Sequence, residues 1–174
     1  MVIKLIKTNL IEVFAVEHPR FKDHRGSFIE SFNENLYKKI FGKKINFVQD
    51  DFSYSKKNVI RGFHGEKKIT KLVSCIRGKI RLVIFCNKKN HKDYLKHYST
   101  ILSETNNRQV LVPPNYGICH QVKSDFAIFH YKQSGYYDPL SQFTFKWNDD
   151  RLKIKWDIVK PILYDFFKTT IFQS

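Results

Sequence analysis

Short β-rich runs separated by polar turns follow one another along nearly the whole chain, and stretches with a helical period are almost absent. Runs rich in β-branched and aromatic residues fall at 2–6, 11–16, 26–32, 47–53, 59–63, 72–76, 79–85, 94–102, 109–112, 127–133 and 143–145. Many short strands with little helix must fold into a sandwich or a barrel. Arg77-Gly78 lies between two of these runs and reads as a hairpin turn. One helix is expected at 34–41, with Asn33 as its cap and Gly42 after its end. The aromatic segment 162–172 reads as a second short helix packed against the strands. No linker, repeat or shift in composition marks a boundary, so a single domain over residues 1–174 is expected.

Composition removes several classes of function. With 42% hydrophobic and 16% aromatic residues the chain is a folding sequence, not a disordered one. It has no apolar run long enough to span a bilayer. The alternating start MVIKLIKTNLIEVF reads as a strand and not as a signal peptide. Three cysteines with no paired spacing (Cys75, Cys86, Cys119) suit reduced thiols in the cytoplasm and suggest no zinc site. The formal net charge of +15 favours an anionic partner. Its lysines are spread along the chain in pairs, without the basic block or the motifs of a nucleic-acid binder. Neither nucleic acid nor a membrane is therefore expected as a partner.

One stretch concentrates chemistry. In NVIRGFHGEKKITKLV (58–73), His64 lies between Arg61 and Lys71 among apolar residues. Histidine titrates near neutrality and suits a general base, and a guanidinium beside it suits an anionic ligand. A histidine packed in an ordinary strand has the same local sequence, and the stretch alone leaves both readings open.

Six segments in order give it context: FKDHRGSFIESFN (21–33), FVQDDFSYSKKNVIRGFH (47–64), KLVSCIRGKI (71–80), LVPPNYG (111–117), YKQSGYYDP (131–139) and WNDDRLKIKW (147–156). Together they resemble the nucleotide-sugar 3,5-epimerase family over about residues 3–163. The resemblance implies an all-β, cupin-type jelly-roll barrel with a few short peripheral helices, acting as a homodimer that exchanges N-terminal strands. It implies no cofactor and no metal. The substrate would be a nucleoside-diphosphate 4-keto sugar, epimerised by removal and return of a proton beside the ketone. His64 matches the family's base, Lys71 the cation facing the enolate oxygen, and Tyr131 the proton donor on the other side of the ring. Arg25, Glu30, Gln49, Asp50, Asp51, Arg61 and Tyr137 match substrate-contacting positions, Tyr137 as the platform for the nucleobase. The paired HxH ligands of a metal-binding cupin are missing; His64, His120 and Glu66 leave a 2-His-1-carboxylate site as an alternative.

The chain also departs from its relatives' pattern. Their aspartate partner of the histidine falls at Phe167, with Asp165 nearby; strand aspartates become Leu82 and Cys86; a glutamate becomes Gln142. The histidine of their GxxH motif falls at Ile118, while His120 stands two positions on and would share its face in an extended strand. These changes imply retained proton-transfer groups in a rebuilt pocket. The 4-keto-6-deoxy sugar would then be a hexose or a GDP-linked heptose for a bacterial surface polysaccharide, inverted at carbon 3, carbon 5 or both. A 3,4-ketoisomerase and a non-catalytic sugar-nucleotide-binding cupin are the competing readings.

Overall fold

The structure, a computed structural model, describes residues 3–42 and 44–164. In chain order its strands are β1 (Lys4–Ile6), β2 (Phe14–Glu17), β3 (Phe21–Asp23), β4 (Gly26–Phe28), β5 (Gln49–Lys56), β6 (Ile60–Glu66), β7 (Lys71–Arg77), β8 (Lys79–Cys86), β9 (His97–Ser103), β10 (Arg108–Val112), β11 (Tyr116–Val122), β12 (Phe126–Gln133) and β13 (Gln142–Thr144). A six-stranded sheet runs β1-β2-β10-β7-β12-β5, a five-stranded sheet runs β13-β6-β11-β8-β9, and β3 and β4 form a separate hairpin. Antiparallel pairing in both sheets gives the expected jelly roll. One helix, α1 (Glu34–Phe41), and 3-10 turns at Pro139–Ser141 and Asp150–Leu152 lie at the periphery.

Alternation along the strands gives the barrel its interior. Inward residues of β7, β8, β10 and β12, among them Val73, Ile80, Leu82, Val110 and Phe129, form one apolar cluster between the sheets. The outer face of the five-stranded sheet carries a second cluster, Ile60, Phe63, Val83, Phe85 and Cys119. The segment from Phe143 to Leu163 crosses it and packs Phe145, Trp147, Leu152 and Trp156 there. Helix α1 covers part of the other sheet, burying Tyr37 beside Val16, Leu72 and Leu111. Its start is fixed by the Asn33 side chain, which accepts from Leu36 N at 3.2 Å, and its end by Gly42 at φ 71°.

Four expectations change. Arg77-Gly78 is not a hairpin, because β7 and β8 belong to different sheets. Gly78 is the only residue between them, one short of a two-residue hairpin loop, and at φ 77° it carries the chain from one sheet to the other. The run at 26–32 shortens to β4, which pairs with β3 in a hairpin that sequence alone did not reveal. Strand β11 was also not foreseen: it is buried on both faces, and so lacks the alternation that betrays a half-exposed strand. Of the helix expected at 162–172, Ile162 bridges to Val59 as a β-bridge, and residues 165–174, with Asp165 and Phe167, lie outside the described residues.

Candidate active site

At one end of the barrel, polar side chains replace the apolar interior. Strand β12 sends Phe129, Tyr131 and Gln133 inward, and β5, paired with it, sends Gln49, Asp51 and Ser55. Asp51 accepts from Gln49 Nε2 at 2.8 Å and from Gln133 Nε2 at 2.9 Å, which fixes its carboxylate. Lys71, opposite Gln133 at the start of β7, has a side chain only 13% exposed. Its ammonium lies 5.0 Å from the centre of the Tyr131 ring.

The facing wall is β6. Arg61 and His64 are three residues apart, a spacing that would put them on opposite faces of a regular strand. The register against β11 shifts between them: Arg61 pairs with His120 and His64 with Ile118, so three residues of β6 span two of β11. Gly62 provides this bulge at φ 119°, with its α-carbon so close to β11 that a Cβ would meet Ile118 O at 2.4 Å. Arg61 reaches across to β5, where its Nε donates to Ser55 Oγ at 2.9 Å. His120 packs its ring on Phe129 at 4.4 Å, and its buried Nε2 has no hydrogen-bond partner among the described residues.

Burial and these neighbours set the proton affinities. His64 is held below the ordinary imidazole range by burial first, then by the Lys71 and Arg61 charges, against the pull of Glu66. Burial likewise lowers the Lys71 ammonium, and the Glu66 and Asp51 carboxylates oppose the loss. Tyr131 is pushed up to about 12 by burial and by Asp51 and Glu66. At neutral pH the pocket therefore holds a neutral imidazole on one wall and a protonated phenol on the other, the forms a base and an acid need.

The structure thus brings His64, Lys71, Tyr131, Asp51, Gln49, Arg61 and His120 together. Tyr137 sits at the rim, 62% exposed, with its backbone N–H donating to Gln49 Oε1 at 3.2 Å. Three residues stand apart. Asp50 alternates to the outer face of β5, where it pairs with Lys132 and His130. Arg25 is exposed on the β3–β4 hairpin and pairs with Asp23 at 2.7 Å. Glu30 accepts from Asn33 Nδ2 at 3.2 Å. Among the described residues, no three His, Cys, Asp or Glu side chains are placed to hold a metal ion. A cavity of about 540 Å³ lies on the outer face of the six-stranded sheet, lined by His18, Arg20, Ser74 and Arg108, away from these groups.

Glu66 was weighed in the sequence only as a possible metal ligand, yet it is 3% exposed, on the same strand face as His64. The signal was available: an acidic residue placed two positions after a candidate base shares its face and must be paired if buried.

Residues 7–168 match the dTDP-4-dehydrorhamnose 3,5-epimerase family. The Salmonella typhimurium LT2 protein of that name is 37% identical over 155 residues, covering 87% of this chain and 85% of that one. The solved dTDP-4-dehydrorhamnose 3,5-epimerase of Bacillus anthracis Ames, with TDP and pyrophosphate bound, is 34% identical, with a TM-score of 0.91 and coverage of 96% and 97%. The Legionella pneumophila Philadelphia 1 enzyme in complex with dTDP-4-keto-L-rhamnose is 32% identical, with a TM-score of 0.89 and coverage of 94% and 88%. With fold and sequence in agreement over most of its length, the chain belongs to the dTDP-4-dehydrorhamnose 3,5-epimerase family and is an isomerase of the epimerase type.

Proposed function

We propose that the protein epimerises a nucleoside-diphosphate 4-keto-6-deoxy sugar at carbon 3, carbon 5 or both. The observation that carries this reading is the placement of a neutral His64 and a protonated Tyr131 on opposite walls of one pocket, with Lys71 beside them. His64 takes the proton from a carbon next to the ketone. The electron pair moves onto the 4-oxygen, and the Lys71 ammonium faces that enolate. Tyr131 returns a proton to the other face of the same carbon, which inverts it. No step calls for a cofactor.

Arg61, Asp51, Gln49 and His120 form the wall against which sugar and diphosphate lie, with the unpartnered Nε2 of His120 free for a substrate hydroxyl. Tyr137 offers an exposed ring to the nucleobase. Leu82 and Cys86, fully buried in the apolar cluster, support a pocket rebuilt for a sugar other than the dTDP-linked hexose of the Legionella relative. A GDP-linked heptose destined for a bacterial surface polysaccharide is the alternative this favours. The protein works in the cytoplasm, in keeping with three free, buried cysteines.

The working unit is a homodimer in which the β3–β4 hairpin and the chain just after it bring Arg25 and Glu30 to the partner's pocket. Phe21, Phe28, Phe52 and Tyr54, all exposed, support such a contact.

Deuterium uptake from heavy water with dTDP- and GDP-linked 4-keto hexoses and heptoses tests the reading. Uptake beside the ketone with inverted product is the expected result and reports which carbons react. A ketone shifted along the ring would establish the ketoisomerase instead. Tight binding with no uptake from any of the four sugars would establish the binding module.

A further inference from the structure

Glu66 ends β6 in a fully enclosed position, where an unpaired carboxylate is costly. Three groups answer its charge. Ser141 Oγ donates to it at 3.0 Å and Gln142 Nε2 at 2.9 Å. Both come from the segment that pairs with β6 through Gln142 and Glu66 themselves, so the sheet fixes the donors as firmly as the acceptor. The third group is the Lys71 ammonium at 3.6 Å. That distance lies beyond the usual hydrogen-bond range, so charge does most of the holding, and an ammonium with three N–H donors can serve another acceptor as well.

The groups facing Lys71 are Glu66 and His64 from β6, Asp51 from β5 and Tyr131 from β12. Asp51 is already engaged by Gln49 and Gln133. Burial drives Lys71 towards its neutral form, and Glu66 is the strongest influence against this. A neutral amine could not stabilise an enolate and would compete with His64 for the substrate proton. The same carboxylate offsets, at His64, the positive charges of Lys71 and Arg61.

We infer that Glu66 is a positioning residue, anchored by Ser141 and Gln142, that keeps Lys71 charged and aimed at the enolate oxygen. The inference rests on the epimerase reading above. Glutamine in its place keeps the volume and can keep both contacts, its oxygen accepting from Gln142 Nε2 and its Nε2 donating to Ser141 Oγ, but it removes the charge.

The test compares wild type, Glu66→Gln and Glu66→Asp by the pH dependence of deuterium uptake, with Lys71 titrated by NMR of lysine labelled at the ε-carbon. Glu66→Gln is expected to move the alkaline limb of kcat, and the Lys71 titration with it, down by about one pH unit or more. At neutral pH kcat should fall by the fraction of Lys71 that loses its proton, with KM little changed, and by less than the 10²–10³ loss typical of removing an oxyanion-side donor outright. Glu66→Asp should restore the limb. An unchanged limb and an unchanged Lys71 titration in a folded Glu66→Gln protein overturn the inference while leaving the epimerase intact. The wild-type titration needs no variant, and a Lys71 that loses its proton below pH 7 overturns it as well. Absence of uptake by the wild type with every 4-keto sugar would instead sink the epimerase reading.

Discussion

Arg61 and His64 point into the same pocket although they stand three positions apart, because Gly62 between them holds a bulge against β11. The relationship depends on a backbone that only glycine adopts without strain and on an approach to β11 too close for a methyl group. Gly62→Ala is expected to destabilise the fold by at least about 2 kcal/mol, from the positive φ together with the backbone contact. Its loss of deuterium uptake should exceed what lower stability explains, since restoring regular pairing turns either Arg61 or His64 away. Urea unfolding beside a kinetic assay at low temperature separates the two effects; a stable, fully active Gly62→Ala protein would refute this account of the bulge.

The Arg61 and Lys71 charges help to keep His64 unprotonated. The acid limb of kcat/KM should therefore lie below the ordinary histidine value of about 6.5. Arg61→Gln removes one of the two cations, so this limb should move upward in pH as kcat/KM falls. A limb that stays in place would show that Arg61 does not act on the imidazole.

Tyr131→Phe keeps the ring contacts to Phe129, 5.6 Å away, and to Lys71, and removes only the hydroxyl. With His64 intact, deuterium should still enter the carbon beside the ketone from the face that lost the proton. Inverted product should fall by roughly 10²–10⁴-fold, the usual contribution of a positioned acid. Inversion at the wild-type rate would remove Tyr131 from the mechanism.

His120 links the pocket to stability. Burial, with Arg61 and His64 nearby, holds it down to about 3, whereas in the unfolded chain it binds a proton below about 6.5. Between those values the unfolded state carries the extra proton, so this contribution to stability is complete above the unfolded value and drains away as the pH falls. His120→Leu keeps an apolar contact for Phe129 and cannot titrate. From pH 6 to pH 4 the wild type should lose about 1.4 kcal/mol per pH unit more than this variant. Parallel urea-unfolding slopes would mean that His120 is not neutral in the fold.

How much of this could be read beforehand follows from how local each signal is. Helix α1 lies where Asn33, Gly42 and the helical period put it, because caps and amphipathic spacing are local properties. The strand content was legible for the same reason. Strand β11, with both faces buried, has no alternation to detect, and the crossing at Gly78 depends on which sheet each strand joins. For the pocket, motif order singled out His64, Lys71 and Tyr131, which the fold brings together. The residues around them were less visible. Asp50 turns outward by strand period alone, and Glu66 gains its meaning from Ser141 and Gln142, which lie far along the chain.

Arg25 tests the proposed dimer. In the single chain it is exposed, and its polar contacts are to Asp23, two residues away on its own hairpin. If the hairpin serves the partner's pocket, Arg25→Ala and His64→Asn disable a site from different subunits. A mixed dimer then keeps one complete pocket, made of an unaltered His64 from the first subunit and an unaltered Arg25 from the second. Its other pocket carries both changes. Random re-pairing of two inactive homodimers makes half of the dimers mixed, so about one quarter of wild-type activity should return. An Arg25 that acts within its own chain leaves both pockets of the mixed dimer damaged, and mixing would restore nothing. Deuterium uptake measured before and after the two variants are unfolded together and refolded decides between these arrangements.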